Sequence, residues 1–433
     1  MKVIYRILFV ALLLAQLPFL AAQEAANPDS RAEELRERRR QKLPESTPPK
    51  SPGIVKMLLY MEGGGLYERI NIRYKDFYPK YGQLSTGSGG AYGIRYFKSN
   101  IAKSGLSVET SAAFSFTGYK LVDFHFGRFN KLAPNFFLGP SVFGAPFQFD
   151  EEAPDSVKSF IYLGLRYRYF PKEDFYGLGN DSRLEDRTDF LLEDGFSSVV
   201  AGHQFNQWLG VGARVGYLKV NTGLGTDEDF PDTRTLFDDD SAPGLERQPD
   251  FLRIDTAIFL NYRDIPGNPH NGGTIGFGFA RFDDRGGDEF EFNAFSVDAR
   301  HYFPLGSRQR VLAVRLFGLW TDAKEGSRIP VYLMRTLGGR ETLRGFREFR
   351  FREARQLHLS AEYRWEAAPA FEIALFYDTG KVFPETERFK FEHLRKSIGI
   401  GFRFKRSRRV LFRLDIARSE EGTRVQFQFG PSF

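Results

Sequence analysis

Residues 337–365 read LGGRETLRGFREFRFREARQLHLSAEYRW, and from residue 356 onward polar and apolar side chains alternate strictly. A period of two is that of a β-strand with one face in an apolar medium. A second alternating run, 371–383, follows after only five residues and places Asp378 on its polar face, as Glu362 lies on the polar face of the first. A loop crowded with arginine is thus followed by two strands that each offer a carboxylate.

Similar alternating runs, each near the length of a barrel strand, extend from residue 91 to the end of the chain. They are 91–98, 105–116, 120–130, 135–149, 158–170, 195–206, 208–220, 250–263, 272–284, 290–303, 310–320, 354–366, 371–383, 395–405, 410–418 and 424–433. The long connections follow the fifth, seventh and eleventh runs, so all of them lie on one side of a closed barrel. Outer-membrane barrels have their long loops outside and tight turns in the periplasm. The sequence therefore predicts an all-β fold, a transmembrane antiparallel β-barrel of about 16 strands over 91–433, with a long sixth extracellular loop.

Composition agrees with a membrane barrel without requiring one. Aromatic residues make up 16% of the chain and glycines number 43, while no segment after the N-terminus has the ~20 apolar residues of a spanning helix. A large soluble all-β protein would have a similar composition. The net charge of +6 is too small to indicate nucleic acid as a partner. The absence of cysteine excludes a disulfide framework.

The N-terminal residues are typical of an exported protein. Lys2 and Arg6 precede the apolar run 7–20, and small residues follow, which predicts a signal peptide over 1–22. This places the mature chain beyond the inner membrane.

Two further segments separate the signal peptide from the barrel. Residues 23–53 are polar, and the capping spacing of Ser30 and Glu33 predicts a partly helical periplasmic linker that ends at Pro44. The linker is either a solvated spacer or a basic segment that docks on the barrel or fills its lumen. Residues 54–90 form a pre-barrel segment whose structure the pattern does not assign: it is either an extra strand, with 66–76 as the candidate, or a segment lying in the barrel mouth.

Several motifs occur together in one order and at family-like spacing. They are Arg344-Gly345-Phe346 in the long loop, Glu362 and then Asp378-Thr379-Gly380 on the next two strands, and Phe433 at the end of the chain. A weaker match is NPHNGG at 268–273. In these motifs, and over about residues 85–433, the chain resembles the bacterial surface antigen family, the BamA/TamA-type outer-membrane barrels.

The resemblance implies that the sixth loop folds back into the lumen, where Glu362 and Asp378 clamp Arg344 while Gly345 and Phe346 lie at the loop tip. Phe433 would be the C-terminal barrel signal. Spacing alone is equally compatible with a solvated arginine-rich loop. Arg352, outside the motif, is expected to contribute little to stability.

The resemblance also implies a location in the outer membrane of a Gram-negative bacterium and a role in protein insertion or transport there. Members of the family carry periplasmic domains, whereas only about thirty residues, 23–53, are available for them here between the signal peptide and the pre-barrel segment. The sequence therefore indicates a version without those domains, for which a separate periplasmic protein is a candidate partner beside the outer-membrane lipids. The sequence does not indicate an oligomeric state.

Two other functions compete with this interpretation. One is a passive pore or a structural barrel. The other, more remote, is a lipid hydrolase embedded in the barrel, because His358 and Ser360 share one strand face. Such enzymes need both groups on the lipid face with a third residue orienting the histidine, whereas these two lie on the predicted lumen face. No enzyme activity, cofactor or metal is predicted.

Overall fold

The structure is a computed structural model. It describes residues 76–82, 84–85, 88–129, 158–206, 208–265, 267–368, 370–387, 390–406 and 409–429. The predicted signal peptide, the linker, the predicted strand 135–149 and Phe433 lie outside these residues.

Nearly all regular structure in the described residues is β-strand. The strands are β1 Phe77–Gly82, β2 Ala91–Ile101, β3 Leu106–Ser115, β4 Lys120–Arg128, β5 Ser159–Phe175, β6 Thr188–Gln204, β7 Leu209–Leu224, β8 Phe251–Asn261, β9 Gly272–Asp284, β10 Phe292–Leu305, β11 Ser307–Ala323, β12 Arg335–Leu337, β13 Phe351–Glu353, β14 Arg355–Ala368, β15 Phe371–Phe383, β16 Arg395–Arg406, β17 Arg409–Ser419 and β18 Gly422–Phe429. A one-turn helix, α1, spans Thr233–Leu236, and a 3₁₀ turn spans Val331–Leu333. Among the described residues, no helix is both long and apolar enough to cross a membrane.

Sixteen of these strands form the wall of an antiparallel β-barrel, in which neighbours in the chain order β1 to β11 and β14 to β18 are hydrogen-bonded and β11 pairs with β14. β1 and β18 are the two ends of this order, and β12 and β13 form a separate pair inside the long loop. The all-β fold and the number of strands agree with the prediction from the sequence.

Two of the sixteen strands are not the ones that the sequence predicted. The sheet begins at β1, so the predicted barrel start at residue 91 is wrong: Phe77 pairs with Tyr96. β1 was missed because FYPKYG does not alternate and contains Pro79, a residue that an edge strand tolerates. The predicted strand at 135–149 does not stand between its neighbours, because β4 pairs directly with β5, as in Lys120 with Tyr169. The two errors cancel before β5, so the three long connections named above keep their predicted side, whereas residues 129–158 join β4 and β5 at the opposite end of the wall.

The two faces of the wall differ as a membrane barrel requires. In β7, exposed and buried residues alternate along almost the whole strand. Val215 and Tyr217 lie on the exposed face, whereas Arg214 and Leu218 face the lumen. Trp208 and Trp365 are exposed at the short-turn end of the wall, where an aromatic belt is expected. The outer face is therefore the lipid-facing one.

The long connection 324–354 fills part of the lumen. Its first half carries Ile329, Val331 and Leu333 into an apolar cluster with lumen-facing phenylalanines of β5 to β11. Residues around its tip form a second apolar cluster with β15. The predicted inward fold of the sixth loop is thus present.

Candidate functional site

The sixth loop enters and leaves the lumen through a short two-stranded ribbon. β12 and β13 pair antiparallel, with Leu337 opposite Phe351, so the residues between them form a tip held at both ends. The tip turns at Gly338 and Gly339, whose φ angles of 121° and 87° are readily adopted only by glycine. Thr342 closes this turn, since its Oγ1 accepts from Gly338 N at 2.9 Å.

Arg344, at the tip, contacts both predicted carboxylates. Its Nε and NH2 donate to the two oxygens of Asp378 at 2.9 and 2.8 Å. Its NH1 donates to Glu362 Oε2 at 2.7 Å. Only 2% of Arg344 is exposed, and both carboxylates are fully buried. A two-pronged contact of this kind is both strong and geometrically specific.

The charges around Arg344 extend beyond the predicted pair. Asp415 Oδ2 lies 3.7 Å from Arg344 NH1. Glu362 also accepts from Arg364 Nε at 2.8 Å and from Arg403 NH2 at 3.0 Å. Every charge in the centre of the cluster therefore faces at least one opposite charge, which buried ions require.

Sequence reasoning missed Asp415 and the arginines on β14, β16 and β17. The alternation of polar and apolar residues could have pointed to two of them, because Arg403 and Asp415 lie on the polar faces of β16 and β17. The alternation does not predict the pairing register between strands, and this register places Gly401 of β16 beside Asp415 of β17. Arg413, on the same face, donates to the carbonyl of Arg340 in the loop at 2.7 Å.

Gly345 lies against the wall where no side chain would fit. A Cβ at this position would come within 2.8 Å of Ser397 and 2.9 Å of Ser419. Two wall residues bind the backbone here: Ser419 Oγ donates to Gly345 O at 2.7 Å, and Gln426 Nε2 donates to Arg344 O at 2.8 Å. The tip is thus held by main-chain contacts as well as by charge.

Phe346 anchors the tip through apolar contacts. It is fully buried with Leu337, Leu343, Phe351 and Val382, and its ring meets that of Phe351 edge-on at 5.2 Å between centroids.

Aromatic packing also supports the arginine itself. The guanidinium carbon of Arg344 lies 3.4 Å from the ring centroid of Phe376 on β15. Gly399 on β16 leaves room for that ring, since a Cβ there would approach it to 2.4 Å. This cation–π contact stabilises the Arg344 guanidinium in addition to its ion pairs and brings no further charge into the site.

Arg352 is not the peripheral residue that the sequence suggested. It is 3% exposed, and its NH1 donates to Val331 O at 2.8 Å while its NH2 donates to Asp174 O at 3.3 Å. This burial and these contacts lead us to expect a larger contribution than the sequence pattern predicted, because that pattern carries no burial signal for a loop residue.

His358 and Ser360 face the lumen but do not form a nucleophile–base pair. His358 Nε2 lies 3.0 Å from the carbonyl of Thr342, and Ser360 Oγ donates to Asp378 Oδ1 at 2.6 Å. Both residues thus support the loop tip. In the described part of the chain, no group of three or more acidic or histidine side chains is placed to hold a metal ion.

The wall and the inward loop together define an outer-membrane β-barrel whose lumen is occupied by its own sixth loop. The Omp85 superfamily domain matches residues 203–433, more than half of the sequence. The chain belongs to the Omp85 superfamily.

Solved structures are similar in fold. BamA from Haemophilus ducreyi lacking POTRA domains 1-3 matches with a TM-score of 0.57 at 14% identity, over 82% of this chain and 69% of that chain. CdiB from Acinetobacter baumannii and CdiB from Escherichia coli match at TM-scores of 0.46 and 0.49, both at 10% identity, over 82% of this chain and 59% and 62% of theirs. At 14% identity the likeness to BamA establishes the fold alone. No curated protein matches the sequence.

Proposed function

We propose that this barrel takes part in inserting proteins into the outer membrane or in transporting them across it. The observation that carries the proposal is the position of Arg344, buried in the lumen and bound to Glu362 and Asp378 on two neighbouring strands. Membership of the Omp85 superfamily supports the same proposal.

The contact supports such a role because it joins the loop to the wall strands near the chain's C-terminal end. The tip binds β14 and β15 through side chains, and β17 and β18 through Ser419 and Gln426. β18 is one end of the hydrogen-bonded order of the sheet. A loop fixed there braces the strands next to the place where the wall begins and ends, and we propose that a client protein is received at that place.

A passive pore is less compatible with this lumen. Diffusion of solutes needs an open water path, whereas the described residues at the level of the tip are buried ion pairs and apolar side chains. The periplasmic partner that the sequence raised stays a prediction.

The test is insertion of a client barrel in vitro. The purified full chain is reconstituted into lipid vesicles, a urea-denatured outer-membrane barrel is added, and its folding is followed by its shift on unboiled gels. The proposal expects the chain to speed folding, and Arg344→Ala to lose most of the effect. Arg340→Ala is the matched control, since among the described residues the Arg340 side chain forms an ion pair only with Glu348 in the same loop. Vesicles that conduct ions steadily while client folding is unchanged would support a pore instead.

A further inference from the structure

The outer wall carries an open hollow of about 700 Å³ at its long-loop end. It lies over β6 and β7 and is bordered by the connections that follow β7 and β9. Neither the family nor the clamp accounts for it, since the hollow is on the lipid-facing side of the wall.

Gly195 leaves the floor of the hollow open. Gly195 of β6 lies in register between Tyr167 of β5 and Lys219 of β7. A Cβ at Gly195 would meet nothing within 4 Å, so the space above it is open. Tyr167 and Tyr217, both partly exposed, border this space.

The hollow lies at the boundary between the apolar band and the polar loops. Toward the short-turn end, the outward residues of β5 next to Tyr167 are Leu165, Leu163 and Ile161, all exposed apolar side chains. Toward the long loops, the neighbours are polar. Tyrosine is common at this level of a membrane, where its ring and its hydroxyl meet different surroundings. The hollow therefore faces the headgroups of the outer leaflet.

The hollow is lined by two carboxylates, Glu193 and Asp250, whose positions are fixed by hydrogen bonds from neighbouring side chains. Tyr167 OH donates to Glu193 Oε1 at 2.6 Å, and Asn221 Nδ2 donates to Glu193 Oε2 at 2.8 Å. Tyr217 OH donates to Asp250 Oδ2 at 2.8 Å. Each carboxylate oxygen can accept more than one hydrogen bond, so both carboxylates still have capacity for hydroxyl groups of a ligand.

Two cations complete the lining. Lys219 is exposed and has no carboxylate partner among the described residues. Arg285, about half exposed, contacts Asp283 at 3.2 Å and leaves further donors of its guanidinium toward the hollow. Ammonium and guanidinium groups at a membrane surface are the side chains that bind lipid phosphates.

We propose that this hollow binds the phosphorylated sugar headgroup of an outer-leaflet glycolipid. The sugar hydroxyls donate to Glu193 and Asp250, the rings of Tyr167 and Tyr217 border the sugar, and a phosphate group is bound by Lys219 and Arg285. The acyl chains lie along the apolar side chains below. This inference does not depend on the proposed function, because the clamp is in the lumen and the hollow is on the opposite face of the wall.

The experiment is native mass spectrometry of the full mature chain in detergent, titrated with three probes. They are bisphosphorylated lipid A, the same lipid without phosphates, and phosphatidylglycerol. We expect bisphosphorylated lipid A to bind at least about tenfold more tightly than either of the others, since one charge-assisted contact changes affinity by about that factor. Equal binding of phosphatidylglycerol would overturn the proposal in favour of unspecific attraction to anionic lipid.

Two variants locate the site. Gly195→Leu places an apolar side chain in the floor of the hollow, where an added Cβ meets nothing within 4 Å, and Lys219→Gln together with Arg285→Gln removes the phosphate donors. Each should weaken binding of bisphosphorylated lipid A about tenfold or more while the folded band on unboiled gels is retained. Ser197→Leu, on the same face of β6, and Lys98→Gln, an exposed lysine at the short-turn end, are the matched controls. Binding that is unchanged in Gly195→Leu and in the double variant would refute the site.

Discussion

The sixth loop carries two arginine clusters that look alike in a list of contacts and differ in their surroundings. At the tip, Arg344 is 2% exposed and joins the loop to the wall. Near the start of the loop, Arg328 joins the loop to the connections that follow β7 and β9, through Asp239 and Glu289. The Arg328 side chain, however, is 32% exposed. One cluster is buried inside the barrel, and the other is partly exposed among the connections at the long-loop end.

The difference shows that burial, and not the number of ion pairs, decides what each cluster contributes. Removing one partner of a buried pair leaves an unmatched charge in a medium of low polarity, which costs roughly 3–5 kcal/mol. Exposed pairs contribute about 0–1 kcal/mol, because water and salt screen them. The tip should therefore fix the loop, while the cluster of Arg328 should only limit the motion of the outer loops.

The largest effect is expected for Arg344→Ala. The substitution removes the positive charge between the buried carboxylates of Glu362 and Asp378. The free energy of unfolding should therefore fall by about 3 kcal/mol or somewhat more. Urea unfolding in lipid vesicles, followed by tryptophan fluorescence, measures this loss. Arg340→Ala, in the same loop, should lower the free energy by less than about 1 kcal/mol. Similar losses in the two variants would mean that burial of the tip does not matter.

A double-mutant cycle sharpens the same point. Asp378→Ala in the Arg344→Ala background should recover part of the loss, because the second change removes a charge left without its partner. A coupling free energy of about 1–3 kcal/mol between the two positions is expected. Strict additivity would show that the two side chains do not act as a pair.

Arg344→Lys separates charge from geometry. Lysine keeps the positive charge, but its single ammonium group cannot bind both oxygens of Asp378 and also reach Glu362 as the planar guanidinium does. The free energy of unfolding should fall by about 1–3 kcal/mol, less than for Arg344→Ala. A loss as large as that of alanine would show that the clamp depends wholly on guanidinium geometry.

Arg352→Gln tests the residue for which the sequence pattern predicted little contribution to stability. The change removes donors to two backbone carbonyls, those of Val331 and Asp174, and should lower the free energy of unfolding by about 1–2 kcal/mol. Faster cleavage of the long loops by an added protease should accompany the loss. No change in either measurement would restore the original expectation.

The smallest effect is expected for Arg328→Ala. The free energy of unfolding should change by less than about 1 kcal/mol, and the change should shrink further at high salt. The Arg328 guanidinium donates to Glu289 and holds the pKa of that carboxyl below its usual value. Its contribution is therefore present above the ordinary pKa of a glutamate and is lost as the pH falls through the lowered pKa of the folded state. A loss comparable to that of Arg344→Ala at neutral pH would invert the comparison.

Much of the clamp was predictable, because a strict period of two assigns faces without any knowledge of the fold. Glu362 and Asp378 fall on the lumen face from alternation alone, and the motif around Arg344 supplies the partner. The contributions of Asp415 and Arg403 were not predictable, because they depend on register and on which side chains cross the lumen. β1 was missed for a related reason: a short edge strand with Pro79 has neither alternation nor a full set of donors.

The partners of the loop tip have one more property, which concerns the order of assembly. Glu362, Asp378, Ser419 and Gln426 all come after the tip in the chain, at separations from its residues of 18 to 82 positions. The tip therefore docks on strands that are made after it and makes none of these contacts with β1 to β10. Closing short chain segments costs less entropy than closing long ones, and local contacts form sooner. The C-terminal third of the barrel thus contains its own internal brace, which can form before the N-terminal strands have found their register.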